Sequence, residues 1–195
     1  MTLLTFVGIN GNNKLVPLCW ALVPIEDEEW WSWFLRCVKK AFQIDNWSAE
    51  RSSFMDDDND FDDEDRAFDS RFIVFISDRN KGLANAVQAV FPGASHSHCC
   101  QHLSDNVHRK FGKEARNLFW PITRARTKLS LYTAIEALQN THPEAAKYLS
   151  NIGYTNFAFW SFGSPRFGHD KSNRDILVLY TLRQSTTKIL NRLGK

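Results

Sequence analysis

Phe72-Ile73-Val74-Phe75-Ile76-Ser77-Asp78-Arg79-Asn80-Lys81-Gly82-Leu83 is the stretch on which the fold turns. Its five opening residues are apolar without alternation and rich in β-branched side chains, the pattern of a short strand buried on both faces. Ser77-Asp78 ends the run. From Lys81 to Val90, Leu83, Ala86, Val87 and Val90 recur at helical spacing, and Phe91-Pro92-Gly93 stops that helix. A strand, a loop and a helix in succession predict a mixed α/β domain with this strand near its centre.

Upstream, Leu3 to Ile9 and Leu15 to Val23 are apolar and β-branched and flank the turn sequence Asn10-Gly11-Asn12-Asn13, which predicts an antiparallel hairpin. After Pro24, the acids Glu26 to Glu29 suit a helix N-terminus, and Trp30, Trp33, Phe34, Cys37, Val38 and Phe42 are spaced as its apolar face. Residues 46–70 are acidic and polar and read as a disordered insert. Downstream, Ala94 to Cys99 is weakly strand-like. The text from His102 to Leu149 is helical, with breaks expected at Gly112, near Pro121 and at Thr141-His142-Pro143-Glu144. An aromatic loop, Asn151 to Phe167, precedes a last helix expected from about Ile176. The expected division is an α/β core over 1–125 and a helical C-terminal part of the same domain over 126–195.

With 195 residues, 43% of them apolar, the chain can bury a core. No apolar run approaches the roughly 20 residues a bilayer span needs, so no membrane partner is expected. The start, Met1 to Val7, lacks the basic leader of a signal peptide. Four cysteines, Cys19, Cys37, Cys99 and Cys100, do not suggest a disulfide framework, which fits a reducing compartment. The net charge of +2 hides an asymmetry: Asp56 to Asp65 holds eight acids, without which the rest would sum to +10. From Arg66 onward there are 19 Lys or Arg against 8 Asp or Glu, a balance suited to a polyanion such as nucleic acid.

Several blocks are more specific. They are Gly8 to Ala21, Glu28-Glu29-Trp30-Trp31-Ser32-Trp33-Phe34-Leu35, Ser77 to Leu83, Phe91-Pro92 and Cys99-Cys100-Gln101-His102-Leu103. In order and spacing they resemble the catalytic domain of Mutator-like element (MULE) transposases. A weaker match runs through Pro143 to Leu149, Trp160 and Arg166 to Asn173, so the resemblance covers nearly the whole chain except the acidic insert.

The resemblance implies an RNase H-like mixed sheet flanked by helices, on which three carboxylates (DDE) hold Mg²⁺ or Mn²⁺ for DNA cleavage and strand transfer. It places the second carboxylate at Asp78, whose alternative role is an N-cap for the next helix. The first Asp would lie on a strand upstream of Leu3, so that strand and the first ligand are expected to be missing, leaving ladder groups exposed on a neighbouring strand. The Glu position falls on Ile176, which cannot bind a metal. Asp175, one residue earlier, is a doubtful stand-in, because one residue turns a helical side chain by about 100°. A transposase remnant without catalysis is therefore expected. The alternative is a domesticated nucleic-acid or protein-binding module.

Cys99 and His102 form a Cys-x-x-His pair, which with His96, His98, Cys100 and His108 nearby offers donors for Zn²⁺ or else a hydrogen-bonded strand-to-helix junction. A Cys-His nucleophile would need an orienting third group that the sequence does not display. For DNA phosphates the candidates are Arg79, Lys81, Arg109, Lys110, Lys113 and Arg116, followed by Arg124, Arg126 and Lys128, with Leu103 to Trp120 as the best single basic face. The resemblance also implies work on chromosomal DNA, hence a nuclear location.

Overall fold

The computed structural model describes residues 1–9, 14–42, 73–164, 166, 168–172 and 176–180. The turn at 10–13, the acidic insert at 46–70, Asp175 and residues 181–195 lie outside the described residues. In chain order the elements are β1 (Thr2–Ile9), β2 (Leu15–Val23), α1 (Glu28–Ala41), β3 (Ile73–Ser77), α2 (Lys81–Val90), β4 (Ser95–His98), α3 (Cys100–Arg124), α4 (Lys128–Thr141) and α5 (Pro143–Ile152). A 3-10 turn (Tyr154–Asn156) and β5 (Ile176–Tyr180) follow. The fold is mixed α/β.

The strands form one sheet in the order β2-β1-β5-β3-β4. β1 and β2 make the expected antiparallel hairpin, with a register shift between Phe6 and Val7. β4 lies parallel to β3, as a helical crossover through α2 requires. β5 enters between the two pairs. It runs antiparallel to β3, from Ser77 opposite Ile176 to Ile73 opposite Tyr180, and parallel to β1 at Phe6, Val7 and Gly8.

This strand corrects two expectations at once. The segment from Ile176 to Tyr180 is not a helix, and neither β1 nor β3 is left with an open ladder over the residues it pairs. The physical reason is non-local. A helix there would leave backbone donors and acceptors of two interior strands without partners, whereas five extended residues satisfy both sides.

β3 is buried throughout and alternates between two layers. Ile73 and Phe75 join Leu4, Phe6, Trp31, Leu35, Leu83, Val87 and Phe91 beneath α1 and α2. Val74 and Ile76 pack with Val7 and Cys99 on the other face, where Phe162 leans on them. On α1 the buried stripe is Trp31, Phe34, Leu35 and Val38, spaced i, i+3, i+4 and i+7. The expected face is met at Phe34 and Val38, with Trp30 and Phe42 packed against the same core, but Trp33 is 44% exposed and Cys37 is exposed, and Trp31 and Leu35 are buried instead. Glu29-Trp30-Trp31-Ser32-Trp33 offers an aromatic on either phase, so packing rather than periodicity chose Trp31.

α3 is two arms. At Gly112 the backbone takes φ 88° and ψ 179°, outside helical space. Arg116 Nε donates to Ser104 Oγ at 2.9 Å. Twelve residues of straight helix would separate those side chains by roughly 18 Å, so the chain doubles back. The two ends confirm it: Cys100 N–H donates to the Asp170 carbonyl at 2.8 Å, and Arg124 approaches the Asp170 carboxylate at 3.9 Å. The single basic face expected from Leu103 to Trp120 is therefore broken. The second break follows Arg124, near Pro121, and the third falls at Thr141–Pro143, both as expected. Leu103, Val107, Ala115, Phe119, Ile122, Leu138, Leu149 and Phe157 close a second core beneath α4 and α5. No helix among the described residues is long and apolar enough to cross a membrane.

Candidate functional site: the carboxyl ends of β3 and β4

Asp78 follows the last residue of β3. Its Oδ1 accepts the Asn80 backbone N–H at 3.1 Å, a local turn that fixes the carboxylate at the strand end. It is not the N-cap of α2. That role belongs to Asn80, whose Oδ1 accepts from Gly82 N–H at 2.9 Å and Leu83 N–H at 3.4 Å. Asn80 Nδ2 in turn donates to Glu26 Oε1 at 2.9 Å, the same oxygen that Trp31 Nε1 reaches at 3.3 Å. The loop carrying Asp78 is thus tied to the start of α1. Asp78 is half-exposed, and its Oδ2 has no hydrogen-bond partner among the described residues.

Beside Asp78 stands the end of β4. His98 lies opposite Ser77 in the ladder. Burial, and secondarily the Arg79 cation, push its imidazole down to about 4, while Asp78 pulls the other way. His96, one alternation earlier, shares a 2.6 Å hydrogen bond between Nε2 and Ser77 Oγ. Burial and then the neighbouring His98 bring it down to about 4 as well. Both rings are neutral near pH 7.

The Cys99 N–H donates to the Ser77 carbonyl at 2.6 Å, and Cys99 Sγ accepts the Ser172 N–H at 3.2 Å. The thiol is buried and serves as an acceptor that pins the 168–172 segment to the sheet. Cys100 is buried too, and burial above all raises its thiol to about 12. A neutral thiol at that depth is no nucleophile. His98 Nδ1, His102 Nδ1 and Ser172 Oγ are buried without a hydrogen-bond partner among the described residues. Arg166, also buried, donates from Nη1 to the Phe157 carbonyl at 2.9 Å and to Ser97 Oγ at 3.2 Å, holding the aromatic loop against β4. The four cysteines are free thiols.

The metal-binding expectations meet this donor set as follows. Among the described residues no group of three or more His, Cys, Asp or Glu is arranged to hold an ion. Asp78 offers one carboxylate, Cys99 Sγ already accepts an amide hydrogen, and Asp175 lies outside the described residues. The described side chains alone do not fit a two-metal or a tetrahedral zinc centre.

The basic candidates divide by what they touch. Arg116 is turned inward to Ser104 and Asp105, the latter at 3.4 Å. Arg109 donates to Asn106 Oδ1 at 2.6 Å and stays exposed, as does Lys113. Arg79 and Lys110 both lie over the Tyr148 ring. Arg124 and Lys171 lie over Trp120, at 4.8 and 5.2 Å, and Arg126 over Phe159 at 4.1 Å. Lys81 lies on the first turn of α2. Sequence reasoning missed Asn80 as the cap and Tyr148 as the ring between two cations. An Asn two residues before a glycine at a helix start was a readable signal for the first. No local signal exists for the second.

No curated protein matches the chain closely enough to count as a relative. Residues 66–162 match the family model described as transposase, Mutator family. That span runs from ahead of β3 through α5 to Phe162, and so contains Asp78, the β4 histidines, Cys99, His102 and the helical layer. The chain, through the half of it that carries this site, belongs to the Mutator family of transposases.

Proposed function

We propose that this chain is a transposase-derived RNase H-like domain that holds DNA through its phosphate backbone and neither cuts nor joins it. The observation that carries the reading is the identity of the strand beside β3. Between β1 and β3, where the resemblance would put the strand with the first catalytic Asp, lies β5, and its sequence Ile176-Leu177-Val178-Leu179-Tyr180 has no carboxylate. β5 also runs antiparallel to β3, and it fills the slot so that no further strand fits there as folded. Asp78 alone binds Mg²⁺ poorly, because the ion surrenders its hydration shell reluctantly. Exposed Arg79, Arg109, Lys110 and Lys113 supply the phosphate contacts, and a nuclear location is proposed with them, in keeping with a family that works on DNA.

Incubating the chain with supercoiled plasmid and Mg²⁺ or Mn²⁺ tests the catalytic half. The reading expects no nicking above buffer and no difference between wild type and Asp78→Ala. Metal-dependent nicking abolished by Asp78→Ala would contradict it.

One observation favours a domesticated binding module over a decayed remnant. The sheet has both interior strands next to β5 paired, and each layer is closed by its own apolar core. Such a chain is expected to unfold in one cooperative transition. A broad, non-cooperative melt would favour the remnant.

A further inference from the structure

Tyr148 sits in α5, half-buried, with its ring 5.6 Å from that of Phe111 at the end of the first arm of α3. Lys110 Nζ lies 4.5 Å from the ring centroid and Arg79 Cζ 5.9 Å from it. Arg79 Nη1 also donates to the Tyr148 hydroxyl at 3.1 Å. Three segments remote in sequence, the β3–α2 loop, the reversal of α3 and the middle of α5, thus bring two exposed cations to one ring. Neither cation is ion-paired with a carboxylate among the described residues. Arg79 is also the residue after Asp78.

Two like charges repel, and the face of an aromatic ring offsets only part of that cost. What remains is a positive potential that no carboxylate among the described residues meets in an ion pair. The hydrogen-bond inventory points the same way. A guanidinium has five N–H groups, and the tyrosine takes a bond from Nη1, while Nε and Nη2 have no partner among the described residues. The Tyr148 oxygen accepts from Arg79, so its own O–H is free to donate outward. Lys110 only donates. Every free group is a donor, and the complementary ligand is an anion whose oxygens only accept. A phosphodiester fits, and arginine's planar fork suits it better than lysine's point charge.

We propose that Arg79, Tyr148 and Lys110 form a phosphate clamp that seats a nucleic-acid backbone beside Asp78. Tyr148 is the positioning residue, since it orients the guanidinium through its hydroxyl and holds the ammonium over its ring. The clamp rests on the DNA-binding reading above.

The test is binding of a labelled mixed-sequence duplex oligonucleotide across roughly 50 to 200 mM salt. Arg79→Gln and Lys110→Gln are each expected to weaken binding several-fold and to lower the slope of log K against log salt by about 1. Tyr148→Phe keeps the ring and its packing. It is expected to weaken binding less than Arg79→Gln and to leave the salt slope unchanged. In a double-mutant cycle Arg79 and Lys110 should couple when Tyr148 is present and act additively in Tyr148→Leu, whose helical content is checked by circular dichroism. Inorganic phosphate at equal concentration should not displace the duplex, since it offers one phosphate rather than a chain of them. Displacement by inorganic phosphate would overturn the proposal in favour of a free-anion site. If the clamp variants leave affinity and slope unchanged while Arg126→Gln and Lys128→Gln lower both, the clamp is wrong and DNA binding stands. If the wild type shows no salt-dependent binding, both fall.

Discussion

At the residue scale, Gly82 shows how closely the loop carrying Asp78 is built. A Cβ at that position would stand 2.7 Å from the Glu28 backbone nitrogen and 3.0 Å from the Asp27 carbonyl carbon. Those are backbone atoms at the start of α1, which cannot swing aside as a side-chain tip would. Gly82→Ala is therefore expected to destabilise by about 1–3 kcal/mol despite the better helix propensity of alanine. A lower urea midpoint at unchanged m-value would show it. His96 sets the acid limit. Its folded value, about 4, lies below the ordinary imidazole value of 6.5. The native state therefore binds fewer protons than the unfolded chain between the two. Its stabilising share is complete above about pH 6.5 and is lost as pH falls toward 4, on the order of a few kcal/mol. The melting temperature should drop across that window, and more shallowly in His96→Gln, which keeps a partner for Ser77. Equal pH dependence in both proteins would remove His96 from the account. Asp78's place at a strand end was readable, because a buried apolar run stopping at Ser-Asp has one natural geometry. Its separation from the N-cap role was not, since Asp78 and Asn80 are both good caps and only the loop geometry chooses.

At the element scale, the reversal at Gly112 decides which basic residues face together. The φ of 88° lies in the region that L-residues avoid, and nothing stands within 4 Å of where a Cβ would go. Gly112→Ala should cost about 1–2 kcal/mol from backbone strain alone, and Gly112→Asn less. Proteolysis at 110–114 together with denaturation midpoints would rank the three. A midpoint unchanged by alanine would mean the turn is not held in that conformation. Glycine in a helical text announced this break. It did not announce a hairpin, because Ser104 meets Arg116 only through tertiary packing. α1 was legible as a helix and in part of its face, at Phe34 and Val38, but Trp30, Trp31 and Trp33 allow two phases, so Trp31 and Leu35 were missed. β5 was illegible for a deeper reason. Ile-Leu-Val-Leu-Tyr is a five-residue apolar run without periodicity, and periodicity cannot tell buried strand from buried helix at that length. Its partners lie about 100 and 170 residues away in sequence, so only the unfilled slot between them selects the strand.

At the scale of the whole molecule, β3 carries one apolar cluster on each face, a third closes the α3–α5 layer, and the candidate site lies at the carboxyl ends of β3 and β4. The mixed α/β class, the hairpin, the β3–α2 unit and the Cys99–His102 junction were all readable from local pattern and spaced motifs. The Arg79–Tyr148–Lys110 cluster was not, because it joins three elements and each residue alone reads as ordinary surface or packing. β5 completes the sheet between β1 and β3, so the strand beside β3 carries no carboxylate of its own. Hydrogen exchange on the full chain and on Val178→Pro tests it most directly. Val178 pairs with both Gly8 and Phe75, and proline there removes a ladder donor and strains the strand. Amides in Val74–Ile76 and Phe6–Gly8 of the wild type should show core-level protection, with marked loss in the variant while the α4 and α5 amides stay protected. Protection of β1 and β3 unchanged by Val178→Pro would contradict it, and would mean that those strands are closed by something other than β5.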